Sequence, residues 1–180
     1  MFIESKRFIE EHIDLIDKND FNDFYNHTEG VELHFIGGIT RLLLDSGIDP
    51  LTNLNYIPAA YLYDCVVGET FNIPSHIKVI DQCAFSGTEI THIEIPEGVQ
   101  IIETQAFGWN DYLHTVILPK SLKQIEADTF EGCMRLHEIK YNGTRDQFRQ
   151  IRCSSKLINS FNTTKNTLHT IICSDGEVSI

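Results

Sequence analysis

At 180 residues, with 42% hydrophobic and 22% charged positions, the chain has the length and composition of a single globular domain with a full apolar core. Its 26 acidic residues against 14 lysines and arginines give a formal charge of -12, which repels phosphate backbones and anionic lipid and argues against nucleic acid or membrane partners. Five widely spaced cysteines with no Cys-x-x-Cys pair argue against a disulfide framework or a zinc site, and for free thiols in a reducing cytosol.

The opening Met1-Phe2-Ile3-Glu4-Ser5-Lys6-Arg7 mixes charges of both signs and has no apolar signal region. No apolar run approaches the roughly 20 residues that span a bilayer, so a cytoplasmic protein is expected. Residues 3–17 carry Ile3, Phe8, Ile9, Ile13 and Ile16 near helical spacing. A second short helix is expected over residues 20–27, with Phe21, Phe24 and Tyr25 on one face. A third runs from Glu32 to Gly47, with Gly37-Gly38 weakening its first half. Ser46-Gly47-Ile48-Asp49-Pro50 then reads as a stop and turn.

From Ile73 to Tyr141 one pattern is repeated three times. Ile73-Pro74, Ile95-Pro96 and Leu118-Pro119 open the units, 22 and 23 residues apart. Eleven residues after each proline stands Phe85, Phe107 or Phe130, and the apolar slots Ile90, Leu113, Leu136 and Ile93, Val116, Ile139 follow. A fixed period near this length marks a solenoid, in which each unit buries its apolar stripe only by stacking on its neighbours. Residues 91–95, 115–118 and 138–141 are expected to be short parallel strands of one ladder. Their outward positions hold Thr91, His92 and Glu94; His114, Thr115 and Ile117; and His137, Glu138 and Lys140.

Ile57-Pro58 matches the openings, but Leu62 follows that proline by only four residues, so a truncated first unit is expected. Three residues after Leu62, Phe85, Phe107 and Phe130 stand Cys65, Thr88, Asn110 and Cys133. A small polar residue recurring once per coil reads as an interior structural ladder that satisfies backbone groups in the turn. Cys65 and Cys133 are on that reading structural fillers, not nucleophiles. The domain layout is a helical amino-terminal cap over 1–56, repeats over 57–141 (one truncated and three full units) and a carboxy-terminal cap over 142–180, all in one structural domain.

The repeat resembles the BspA-type leucine-rich repeat, whose sentence joins an Ile-Pro opening to an Ala-Phe-x-Gly-Cys turn. Tyr141-Asn142-Gly143-Thr144-Arg145-Asp146-Gln147-Phe148 resembles the closing segment of that family, and Ile171-Ile172-Cys173-Ser174-Asp175-Gly176 its last strand and turn. The resemblance implies an α/β solenoid, a short right-handed stack with a parallel β-ladder, ending in a helix plus hairpin. It also implies protein recognition without catalysis, and the missing leader makes this chain similar to the short, unsecreted members encoded by bacteria and bacteriophages. No catalytic residue and no cofactor is carried over.

Motifs for phosphate binding, metalloprotease or serine-hydrolase chemistry and paired carboxylates are lacking. His114 and His137 share a column about 4.8 Å apart, with His92 one column over. Such a column can bind a metal or titrate near neutral pH, but with Glu138 as the single acidic neighbour the expectation is two solvated side chains and no metal site. Lys140, Arg145, Arg149, Arg152 and Lys156 make the carboxy-terminal end basic, which suits self-association with the acidic remainder as a second partner reading. Trp109 replaces the glycine that its repeat equivalents Gly87 and Gly132 supply, so it is expected to project beside Tyr112. Ile117 is apolar where Glu94 and Lys140 are charged. The protein-binding candidates are therefore Trp109, Tyr112, Ile117, His114, His137, Glu94 and Lys140, with another protein, or a second copy, as partner.

Overall fold

The computed structural model describes residues 33–153 and 170–179. The helices expected over 3–17 and 20–27, and Lys156, lie outside them. The described chain is a β-solenoid of about four turns, and each coil has three sides.

The first side is the expected ladder. Strands β3 (His92–Glu94), β5 (Thr115–Leu118) and β7 (Glu138–Tyr141) pair in parallel, with His92, Thr115 and Glu138 in register and Glu94, Ile117 and Lys140 in register. Ile93, Val116 and Ile139 face inward and are buried. β9 (Thr170–Cys173) continues the sheet beside β7, and β10 (Gly176–Ser179) closes it as an antiparallel hairpin.

The second side is a sheet that the sequence reading did not anticipate. β1 (Tyr56–Ile57), β2 (Val79–Ile80), β4 (Ile101–Ile102), β6 (Gln124–Ile125) and β8 (Arg152–Cys153) form five parallel strands of two residues each. A two-residue strand has one inward residue and no alternation to read, so the apolar spacing alone did not reveal it.

This sheet also corrects the register of the first unit. Ile57 pairs with Ile80, and the ladder continues through Ile102 and Ile125. Ile57-Pro58 therefore stands in the second-sheet slot and not in the opening slot of Ile73-Pro74. The opening turn of the first coil lies earlier: Leu54 N–H donates to Leu51 O, as Ile77 donates to Pro74, Val99 to Pro96 and Leu122 to Pro119. The first unit is thus not shortened between Pro58 and Leu62. It lacks only the proline of the opening, whose slot Leu51 fills within a short 3-10 turn (Pro50–Asn53) capped by Asp49.

On the third side each coil carries two left-handed residues, four positions apart. Ala60, Cys83, Gln105 and Asp128 have φ of +53° to +57°, and four residues later Asp64, Gly87, Trp109 and Gly132 are also left-handed, at +55° to +73°. Alternate amides along this side donate to the next coil: Phe85 to Ala106 O, Gly87 to Gly108 O, Phe107 to Thr129 O and Trp109 to Glu131 O. These bonds satisfy the turn backbone and hold the six non-glycine residues in a conformation that isolated chains disfavour.

Inside, Phe85, Phe107 and Phe130 are stacked nearly parallel, with ring centroids 5.3 Å and 5.8 Å apart. At the amino-terminal end α1 (Leu33–Asp45) buries Ile36, Ile39, Thr40 and Leu43, one helical face. Gly37 does not interrupt this helix; it lets it approach, because a Cβ there would collide with the Tyr63 backbone. At the other end α2 (Arg145–Phe148) opens with a capping box between Thr144 and Gln147. Arg145 N–H donates to Asp175 Oδ1 at 2.8 Å, and Ser174 N–H to Gly143 O at 2.9 Å, so the closing segment and the hairpin turn are tied together. The Arg145 N–H bond, then the Arg145 charge, hold the Asp175 carboxyl below its usual range.

Candidate functional site: the turn edge and the sheet face

The left-handed column at Asp64, Gly87, Trp109 and Gly132 runs along the outside of the third side. A side chain in this conformation leans over the glycine of the next coil. A methyl placed on Gly87 would touch Asp64 Oδ1 at 3.4 Å, and one on Gly132 would come within 2.6 Å of the Trp109 indole. The indole therefore lies across Gly132 while 58% of Trp109 stays exposed. Tyr112, three residues on, is 46% exposed, and the Arg135 guanidinium sits 5.1 Å from its ring centroid. Val66, two coils before, and Met134, one coil after, add exposed apolar surface in the column that Asp111 occupies.

Between Trp109, Tyr112 and Tyr63 lies an open groove of about 450 Å³. Asp64, Glu89 and Asp111 contribute carboxylates to its rim. These acids were not among the sequence candidates. Asp64 could have been found by carrying the 23-residue phase back from Gly87, and Glu89 and Asp111 each follow a ladder residue directly.

Behind this edge the ladder positions Thr88, Asn110 and Cys133 form one connected network, with Cys65 bonded separately. Thr88 Oγ1 donates to Asn110 Oδ1 at 2.6 Å, and Asn110 Nδ2 donates to both Phe85 O and Phe107 O at 2.8 Å. Cys133 Sγ donates to Phe107 O at 3.1 Å, and Cys65 Sγ to Tyr63 O at 3.4 Å. Burial pushes the Cys133 thiol up to about 12 and that of Cys65 up to about 11. Neither forms a useful thiolate near neutral pH.

On the sheet face the rings of His114 and His137 are 5.7 Å apart and tilted by 47°. His137 Nδ1 lies 3.0 Å from Arg135 O and His92 Nδ1 3.2 Å from Thr91 Oγ1. Among the described residues no three or more histidine, cysteine or acidic side chains gather where they could hold a metal ion. Ile117 is half-buried between Glu94 and Lys140, and Lys140 Nζ pairs with Glu138 at 2.8 Å. The sequence candidates thus fall into two groups: Trp109 and Tyr112 at the turn edge, and Glu94, His114, Ile117, His137 and Lys140 on the sheet face.

A family model for the BspA type leucine rich repeat region, in six copies, matches residues 50–172. The chain belongs to the BspA-type leucine-rich repeat family. The match begins at Pro50, where the turn of the first coil begins in the structure. Among solved structures, a leucine-rich cell surface protein from Faecalibacterium prausnitzii A2-165 is similar at 28% identity with a TM-score of 0.51, over 54% of this chain and 26% of that one. A leucine-rich repeat protein from Bacteroides ovatus ATCC 8483 is 28% identical over 49% of this chain and 29% of that one, with a TM-score of 0.39. The chain therefore spans between a quarter and a third of the length of these two leucine-rich neighbours. No curated protein matches the chain. Among the described residues no helix is long and apolar enough to cross a membrane.

Proposed function

We propose that this chain is a non-enzymatic protein-recognition module. Its binding surface runs from the turn edge at Trp109 and Tyr112 onto the sheet face at Glu94, His114, Ile117, His137 and Lys140. The observation that carries the reading is Trp109: a large aromatic, 58% exposed, held at a left-handed position where glycine costs least. Strain kept at a surface position is a reason to look for function there, and Trp, Tyr and Arg are the residues that dominate binding energy at protein interfaces. Membership of a repeat family built for recognition supports the same reading. A cytoplasmic location accompanies it, because all five cysteines are free thiols.

Self-association is the second reading, favoured by β10, which ends its sheet without a further strand among the described residues, and by Ile172, 37% exposed next to it. The test is capture from lysate of the native cell with the immobilised chain, read by mass spectrometry, beside light scattering of the free protein. Wild type is expected to scatter as a monomer and to retain a protein that the Trp109→Gly variant loses while melting within a few degrees of wild type. A variant that melts much lower yet retains the same proteins would make Trp109 a core residue and end the proposal.

A further inference from the structure

The groove beside Trp109 has a chemistry more specific than a recognition surface in general. Its walls are aromatic and its rim carries Asp64, Glu89 and Asp111. All three acids are exposed, and none has a hydrogen bond or ion pair to a cationic side chain among the described residues. The nearby cations are engaged elsewhere. Arg41 bonds Asp45 and Val66 O, and Arg135 lies over the Tyr112 ring. That last contact is a second observation, because it shows this aromatic edge taking a guanidinium of the chain itself.

We propose that the groove between Trp109 and Tyr112 receives an arginine side chain from a basic segment of a partner protein. The inference rests on the protein-recognition reading and names the chemistry of the partner. A guanidinium fits for three reasons. Its flat face stacks on an indole or phenol ring, its five N–H donors reach more than one carboxylate, and it sheds water more easily than an ammonium. The formal charge of -12 draws such a segment in before contact is made. An acidic or phosphorylated segment meets repulsion at the same rim.

The chain contains one tryptophan, so the fluorescence of Trp109 reports on the groove directly. The full chain is titrated with the capped peptide Gly-Arg-Gly-Gly-Arg-Gly, its lysine counterpart and its citrulline counterpart, which keeps the shape and removes the charge. The arginine peptide is expected to give a saturable change, the lysine peptide to bind about threefold more weakly, and the citrulline peptide about tenfold or more weakly. Asp64→Asn with Asp111→Asn is expected to weaken arginine binding about tenfold. Glu103→Gln with Glu177→Gln, which removes the same charge elsewhere, is expected to leave it unchanged.

Equal binding of the citrulline peptide, or equal loss in both double variants, would overturn the assignment in favour of shape alone or diffuse charge. No peptide response together with a concentration-dependent dimer that Trp109→Gly abolishes would overturn it in favour of a second copy. If a captured partner is lost on Trp109→Gly but is not displaced by excess arginine peptide, recognition stands and the arginine assignment falls.

Discussion

Two columns run along the same coils, two residues apart, and obey the same period. Leu62, Phe85, Phe107 and Phe130 point inward; Asp64, Gly87, Trp109 and Gly132 lie on the outer turn. The inner column is apolar throughout, and its members are at most 1% exposed. The outer column holds an acid, two glycines and a tryptophan. Stacking dictates the inner side chains, because the Phe107 ring lies between those of Phe85 and Phe130 and nothing polar fits such a column. In the outer column stacking dictates only the backbone, a positive φ, and the side chain is free to be anything that tolerates it. Structure is written inside the period and identity outside it.

The largest effect that tests this contrast is Phe107→Ala. Removing the central ring of the stack is expected to cost about 3–5 kcal/mol in denaturant unfolding, as for other buried aromatics. A loss under about 1 kcal/mol would show that the column does not carry the core. Next comes Asn110→Ala, which strips the amide that bonds Phe85 O and Phe107 O and is expected to cost about 1–3 kcal/mol.

The outer column is tested by Gly132→Ala. The added methyl meets the indole at 2.6 Å and a φ of +73°, so about 2 kcal/mol or more is expected in the wild-type background. In a Trp109→Gly background the cost should fall to about 1 kcal/mol, the backbone share alone. A double-mutant cycle with no coupling would mean that the indole does not rest on Gly132.

The smallest effect concerns a column on the coil exterior after the second sheet, where Asp81, Glu103 and Glu126 follow one another. Burial, then the charges of Asp81 and Glu126, raise the Glu103 carboxyl above its ordinary 4.5. The folded state therefore holds this proton more tightly than the unfolded chain, and the ionised form costs stability as pH rises above 4.5. Glu103→Gln is expected to melt slightly higher than wild type at pH 7, with the gain vanishing below pH 4.5. A variant that is less stable at pH 7 would reverse the sign and refute the assignment.

The period made most of the solenoid legible in advance. The phenylalanine spacing located the stack, and the alternation around Ile93, Val116 and Ile139 located the first sheet. The second sheet was hidden because Ile80, Ile102 and Ile125 are lone inward residues with nothing to alternate against. Ile57-Pro58 misled for a related reason: a dipeptide identical to the openings stands in a slot five residues before Leu62, where the other coils carry Ile80, Ile102 and Ile125. Phase, counted from Leu62, was the better guide than local likeness. At the candidate site, a tryptophan in the slot where Gly87 and Gly132 stand announced an outward indole. The acids of the groove went unread because Asp64, Glu89 and Asp111 become neighbours only when three coils are stacked.

Alternate amides of the third side reach forward to the following coil and those between them close turns within their own, so one coil and its bonds form a module that can be copied whole. Duplicating or excising 22 or 23 residues between equivalent positions leaves the inner column continuous. The outer column is lengthened or shortened by one residue at the same stroke. A chain built this way can acquire a new groove by slippage in its gene, with no intermediate that fails to fold, and then change the groove one surface residue at a time.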